Sequence, residues 1–534
     1  MHGAAQRLAT HAEQILGVPL PVRLRAWDGT EHGPPGTPVI VLRNRRALRR
    51  ILFKPGELGL VRAWVSGDLA VEGDLYEALD LLAGVVWETE RPPLGPLDAV
   101  RDPQVRAAAL DVARLAGPFL PPPPPPEEVP VRRRLGGRHT KGRDRKAISH
   151  HYDVGNAFYE RVLGPSMVYS CAYWQDDATL ESAQRDKLDL ICRKLGLTPG
   201  MRLLDVGCGW GSMALHAARE YGVQVVGVTL SREQAAYARK RAAEQGLADR
   251  VEIRVQDYRD VRDGPYDAIS SIGMAEHVGA VRYLEYAEDL YALLKPGGRL
   301  LNHQIARRPQ DDEAAYHVDA FIDAYVFPDG ELAPVGSTVA QLERAGFEVR
   351  DLEALREHYA LTLRAWVRNL EANWEECVRL AGSGRARVWL LYMAASALSF
   401  ERNRIGVNQI LAVRTPAEGH PGLPLRARKW TALSARTDTG RDGTSPGRPT
   451  AARRTGARPP SRGAARPGPG PRRRRDHPGP PVPRVGLRPP RPAAPAAPTF
   501  RASAPGPAPA NRGGARRLAR TAARRERSGR ATRS

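Results

Sequence analysis

The residues Leu203-Leu204-Asp205-Val206-Gly207-Cys208-Gly209-Trp210-Gly211 read as an apolar strand running into a glycine-rich turn, with an acid near the strand's end. Glycine at 207, 209 and 211 removes the Cβ atoms that would keep a nucleotide off the backbone, and Ser212–Tyr221 can begin a helix whose N-terminus offers unpaired N–H groups. The chemistry this suits is the holding of a nucleotide-type cofactor. A dinucleotide would require an acid for its ribose about 20 residues further on. The second strand, Val223–Val228, ends instead in Thr229-Leu230-Ser231.

The elements that must position this turn follow one another at the spacing of βαβ units. Met201–Val206, Val223–Val228, Val251–Val255, Asp267–Ser271 and Arg299–His303 supply at least five strands, which predicts a mostly parallel sheet with helices on both faces. Ligands of such sheets gather beyond the carboxyl ends of the strands. Gly207, Thr229, Asp257, Glu276 and His303 all lie at or just past strand ends, so one crevice can collect them. With Gln256-Asp257-Tyr258 after the third strand and Leu294-Lys295-Pro296-Gly297-Gly298-Arg299-Leu300 leading into a later one, the ordered set resembles class I S-adenosylmethionine-dependent methyltransferases. The resemblance implies an α/β, Rossmann-like fold and S-adenosylmethionine as cofactor.

Further segments narrow it. They are His151-Tyr152-Asp153-Val154-Gly155-Asn156, Tyr169-Ser170-Cys171-Ala172-Tyr173-Trp174, Gly273-Met274-Ala275-Glu276-His277-Val278-Gly279, Asn302-His303-Gln304-Ile305, and His358-Tyr359 ahead of Thr362 and Trp366. This combination, over residues 148–414, resembles the cyclopropane-fatty-acyl-phospholipid synthase and mycolic-acid cyclopropane synthase family, and Gly56–Leu81 resembles the N-terminal domain of its phospholipid-acting branch. The resemblance implies methyl transfer to a cis double bond of an unsaturated phospholipid acyl chain, then ring closure by loss of a proton to a bound bicarbonate ion. By the family pattern Cys171, Glu276, His303, Tyr359 and the backbone of Ile305 hold that ion, with Cys171 a small donor and not a nucleophile. Tyr169 and Ser170 are assigned to the amino-acid end of the cofactor, Gly207 and Gly209 to backbone contacts, Thr229 with Gln234 to the ribose region, and Asp257 or Tyr258 to the adenine, with Gly211 and Ser231 as further cofactor-binding candidates. Asp205 is expected to order the glycine loop. No metal is called for. Met167, Met274, Phe321, Tyr325, Phe327, Trp366 and Trp374 are the candidate lining of an acyl tunnel, and the segment from Asp319 to Val335 is a candidate cover. A related outcome, loss of a different proton to leave a methylene branch for a partner reductase, uses overlapping motifs.

Composition sets the remaining bounds. The 534 residues carry a formal charge of +22, but Thr431–Ser534 alone holds 25 Arg, no Lys and 4 Asp or Glu, while Met1–Trp430 carries 56 Lys plus Arg against 55 Asp plus Glu. A tail of Pro, Ala, Gly and Arg with one aromatic, Phe500, cannot bury enough apolar surface to offset its chain entropy, so 431–534 is expected to be disordered. A specific nucleic-acid partner would have to be argued from that tail, and the near-neutral remainder opposes it. Residues 1–120 read as a small α+β domain without a catalytic constellation, 121–147 as a proline-rich and then basic linker, and 148–430 as the catalytic domain. The first of these suits dimerisation and vesicle docking equally well. Four cysteines without CxxC spacing fit a reducing cytosol. The longest apolar stretch, Trp389–Phe400, falls short of the ~20 residues a spanning helix needs, so the expected location is cytoplasmic, peripherally associated with the inner face of the membrane.

Overall fold

The structure is a computed structural model that describes residues 3–88, 103–117, 120–129, 140–141, 154–313, 316–425 and 428. The tail 431–534, His151-Tyr152-Asp153 and nearly all of the basic stretch 131–146 lie outside the described residues. The N-terminal part contains α1 (Ala4–Leu16), β1 (Arg23–Arg25), β2 (Glu31–His32), β3 (Val39–Leu42), α2 (Arg45–Phe53), α3 (Glu57–Val65), β4 (Leu69–Glu72), α4 (Leu75–Glu88) and α5 (Pro103–Ala116). Its four strands form one sheet in the order β2-β1-β3-β4.

The catalytic part begins with α6 (Asn156–Leu163) and α7 (Leu180–Leu195), then alternates β5 (Arg202–Val206), α8 (Ser212–Tyr221), β6 (Gln224–Thr229), α9 (Arg232–Glu244), β7 (Val251–Val255) and β8 (Tyr266–Ile272). After α10 (Ala275–Val278) and α11 (Tyr283–Leu293) come β9 (Leu294–Arg307), β10 (Ala333–Pro334), α12 (Val335–Arg344), β11 (Glu348–Ala354), α13 (Arg356–Ala372), α14 (Trp374–Ala381), α15 (Ser383–Glu401) and β12 (Ile405–Val413). The large sheet runs β11-β12-β9-β8-β5-β6-β7, with the five strands β5 to β9 parallel and β12 antiparallel to both neighbours. Its central strands are covered on both faces, which is why β5 reads as an almost continuous buried run. The alternation of βαβ units made the five parallel strands legible. It carried no mark for β11 and β12, because a run such as Ile405–Val413 fits strand and helix alike.

Helix ends fix where the chain turns toward the site. Thr179 and Ser182 form a reciprocal capping box at the start of α7, and Gly196 at φ +68° closes its other end. The N-terminal and catalytic parts share one hydrophobic core: Leu48, Val61, Ala63 and Trp64 join Phe158, Leu363, Trp366, Val388 and Trp389. The prolines 121–125 belong to no helix or strand and the chain turns at Pro125–Glu128, where Glu128 N–H donates to Pro125 C=O at 3.0 Å; the segment is fastened and not free. Pro123 C=O accepts from Arg50 Nη1 at 2.6 Å, Glu128 accepts from Nε and Nη2 of Arg62, each at 2.7 Å, and Val129 N–H donates to Ala324 C=O at 2.9 Å. Among the described residues no helix is long and apolar enough to cross a membrane.

Candidate active site

The glycine turn is built on backbone bonds. Gly207 and Cys208 N–H donate to Val228 C=O at 2.9 and 3.0 Å, and Gly211 N–H to Cys208 C=O at 2.9 Å. Gly207, Gly209 and Gly211 have φ of +75°, +53° and +82°, conformations in which a Cβ is strained. Their surroundings differ. A Cβ on Gly209 would meet nothing within 4 Å, and Gly209 lines a cavity of about 410 Å³ at the carboxyl ends of the strands, whereas a Cβ on Gly211 would lie 2.9 Å from that of Ala238. Gly211 is therefore a packing glycine between α8 and α9, a correction to its assignment as a cofactor contact. Gly211→Ala is expected to cost about 2–4 kcal/mol, the sum of left-handed strain and overpacking, measurable by urea denaturation.

Thr229, Gln234, Asp257, Tyr258, Tyr169 and Ser170 line the same cavity as Gly207 and Gly209. Thr229 Oγ1 donates to Gln234 Oε1 at 2.8 Å, so the amide and hydroxyl act as one unit. Ser231 does not line it. Its Oγ accepts from Gln234 N–H at 3.2 Å and caps α9, so a residue expected to bind cofactor serves as a helix cap. Asp257 caps the turn at Tyr258–Asp260 and takes Arg259 through both oxygens, each at 2.8 Å. Asp205 departs from expectation. It bonds no glycine amide: Oδ1 accepts from Ser270 Oγ at 2.7 Å, and Oδ2 is buried without a partner among the described residues, on the cavity wall. Burial lifts its carboxyl to about 6, against the Ser270 hydrogen bond and the Lys187 charge. Lys187 was not among the predicted residues. It is fully buried on α7, donates to Ser170 Oγ at 2.8 Å and lines the cavity. Its sequence signal was there: Gln184, Lys187 and Lys194 sit among the buried residues of an otherwise apolar stripe.

The second constellation converges on the same space. Cys171, Glu276, His303, Ile305 and Tyr359 all line the cavity, brought there from the loop before α7, the start of α10, β9 and the first turn of α13. Cys171 Sγ faces the carbonyls of Ala172 and Leu355 at 3.2 and 3.6 Å, and burial pushes its thiol far above the usual range, so it is no nucleophile. Tyr359 packs its ring on Phe400, centroids 4.8 Å apart. The backbone of Ile305 is already engaged: its N–H donates to Glu276 Oε1 at 2.7 Å, so the amide expected to hold an ion instead positions the glutamate. Glu276 Oε2 and His303 Nε2 are buried and have no partner among the described residues. Burial holds the His303 imidazole well below its ordinary pKa, helped by the charges of Lys187 and Lys194.

Burial also raises the Glu276 carboxyl from 4.5 to about 7, partly offset by the Ile305 amide. A raised carboxyl favours the protonated form in the fold, so its stabilising contribution is complete below pH 4.5 and lost as pH rises through 7. From that shift we expect the cofactor-free protein to lose about 3 kcal/mol between pH 4.5 and 7.5 relative to Glu276→Gln, read by denaturant titration across that range.

Met167, Met274, Phe321 and Phe327 line the cavity as proposed for an acyl tunnel, whereas Tyr325, Trp366 and Trp374 do not. Trp366 and Tyr325 are core residues, fully buried. The segment Asp319–Val335 contributes Asp319, Phe321, Ile322, Phe327, Gly330, Glu331 and Leu332 to the wall, and Glu331 N–H donates to Glu276 C=O at 2.9 Å.

Comparison with known proteins finds relatives across the catalytic part. The model of a family described as mycolic acid cyclopropane synthetase matches residues 139–410. A probable fatty acid methyltransferase of Mycobacterium tuberculosis (strain ATCC 25618 / H37Rv) is 45% identical over 417 residues, covering 76% of this chain and 94% of its own. The cyclopropane-fatty-acyl-phospholipid synthase of Escherichia coli (strain K12) is 42% identical over 269 residues, 50% of this chain and 68% of its own. A solved mycolic acid cyclopropane synthase complexed with SAH and CTAB is 33% identical, with a TM-score of 0.48 over 50% of this chain and 97% of that one.

Proposed function

We propose, because the chain belongs to the mycolic acid cyclopropane synthetase family of S-adenosylmethionine-dependent methyltransferases, that it converts a cis double bond of an unsaturated phospholipid acyl chain into a cyclopropane ring. One observation carries the reading. Two buried polar atoms without partners among the described residues, Glu276 Oε2 and His303 Nε2, line the same cavity as Gly209, Met167, Met274 and Phe327. An alkene is a weak nucleophile, and its attack on a sulfonium methyl forms a C–C bond, releases the thioether and leaves a carbocation on the acyl chain. Such a reaction needs dry walls, in-line placement and a proton acceptor close by.

The chain's residues divide these tasks. Gly209 lets a cofactor approach the backbone, Gly207 clears the Met274 side chain on the same wall, Thr229 with Gln234 presents a polar edge where other enzymes present an acid, and the apolar side chains keep water from the cation. The orphaned Glu276 and His303 atoms, with Tyr359 and Cys171 beside them, suit a small oxyanion such as bicarbonate. That ion, when bound, would supply the base that takes the final proton. Glu276, poised near neutrality, can share a proton with such a neighbour, and its anchoring to Ile305 N–H sets where the shared proton lies.

A second reading has its own support: the 45% identical relative is named a fatty acid methyltransferase, which fits loss of a different proton and a methylene branch that a partner reductase converts to methyl. Lipids from cells expressing the chain, with and without such a reductase, separate the two. A ring survives ozonolysis; a methylene is cleaved by it, and a cleaved product would replace the cyclopropane reading. On this reading the enzyme would meet its phospholipid substrate as a peripheral protein at the cytoplasmic face of the membrane.

A further inference from the structure

His303 faces the cavity with Nε2, and what stands behind it determines what Nε2 can do. His303 on β9 and Gln409 on β12 are direct cross-strand partners in the antiparallel pair, and Gln409 Nε2 lies 3.3 Å from His303 Nδ1. The other end of the same amide is committed: Gln409 Oε1 accepts from Lys194 Nζ at 2.9 Å. Lys194 is buried at the end of α7, where Glu353 pairs with it and Asp351 Oδ2 stands 3.7 Å away, both on β11. An ammonium has only protons to give, so it must be met by the oxygen of the amide, never by its NH2. The NH2 therefore points at His303, and Nδ1 must be the accepting nitrogen. A neutral imidazole that accepts at Nδ1 carries its proton at Nε2.

We propose that Lys194 and Gln409 are positioning residues that lock His303 in the Nε2–H tautomer, so that it presents a hydrogen-bond donor, and not an acceptor, to the active-site cavity. The direction follows from one-way bonds, Lys194 donating to Glu353 and to Gln409 Oε1 and Gln409 donating in turn to His303, and it is independent of how the amide is drawn, since only one orientation satisfies both ends. Fully buried, Gln409 has no solvent to offer either end an alternative. A donor at that place suits a negatively charged or carbonyl-type oxygen. The value of that donor to turnover rests on the function proposed above; the tautomer does not.

The test uses the full chain labelled with 15N-histidine, His303 being assigned by the signal lost in His303→Asn. The expected wild-type spectrum at pH 7.5 is that of a neutral ring protonated at Nε2. In Gln409→Glu one carboxylate oxygen faces Lys194 and the other faces Nδ1, so Nδ1 is expected to become protonated. Lys194→Met frees the amide to turn and is expected to give a mixture of tautomers. A wild-type ring protonated at Nδ1, or a Gln409→Glu ring unchanged from wild type, overturns the proposal. Calorimetric binding of S-adenosylhomocysteine within about twofold of wild type confirms that a variant is folded, since Gln409 does not line the cavity. In Gln409→Glu, kcat is expected to fall at least tenfold with the KM for S-adenosylmethionine unmoved. If the tautomer flips while kcat stands, the tautomer assignment holds and the role given to His303 in turnover fails.

Discussion

Replacing Glu276 by glutamine is expected to lower kcat by about 10³-fold while leaving the affinity for S-adenosylhomocysteine within about twofold. The separation is built into the site. Glu276 enters the cavity from α10, immediately beyond β8, and its Oε1 accepts from the Ile305 amide. Glutamine keeps that oxygen and nearly the same volume, so the wall stays where it is. What changes is Oε2, the buried atom without a hydrogen-bond partner among the described residues. A carboxyl near neutrality can give or take a proton there; an amide NH2 can only donate. Gly207, Gly209, Thr229 and Gln234, the residues proposed to meet the cofactor, line another part of the wall and are not altered by the substitution. Calorimetry with S-adenosylhomocysteine and single-turnover analysis of methyl transfer read the two effects independently. Equal turnover in the variant would remove Glu276 from the mechanism, and parallel loss of cofactor binding would make it a structural residue.

The two halves of the site were legible in the sequence to different degrees. Strand-end position marked Gly207, Thr229, Asp257, Glu276 and His303, and all five reach one cavity because parallel strands bring their carboxyl ends to one edge. Gly211 and Ser231 carried the same marks and failed, since a glycine that clears Ala238 and a serine that caps α9 look like cofactor contacts when only residue type is read. Lys187, Lys194 and Gln409 were missed for the opposite reason. They are polar residues inside apolar stripes, on α7 and β12, and their partners Ser170, Glu353 and His303 lie 17, 159 and 106 residues away in sequence. Periodicity reveals that such a residue is buried, but not what satisfies it.

The relation of the N-terminal part to the rest was the least legible of all, and Trp64→Ala measures it. Read as sequence, residues 1–120 and 148–430 are two domains on a stiff spacer, and a core mutation in the first would leave the second standing. In the structure Trp64 on α3 is 7% exposed, donates from Nε1 to Arg387 C=O at 2.9 Å, and lies under the Arg387 guanidinium, 5.5 Å from ring centroid to charge. Arg387 belongs to α15, whose buried residues include Val388, Trp389, Met393 and Phe400, and Tyr392 of the same helix lines the cofactor cavity. A helix apolar on so many sides needs cover from more than one direction, and α3 and α4 supply part of it. Removing the indole leaves a void, takes the second donor from the Arg387 carbonyl and uncovers α15. The expected loss is about 3–5 kcal/mol. It should appear as one earlier transition in which circular dichroism and S-adenosylhomocysteine binding are lost together, because the helix that Trp64 covers also walls the site. Two transitions, with cofactor binding surviving the first, would instead describe separable domains, and the shared core would then be a contact without cooperative weight.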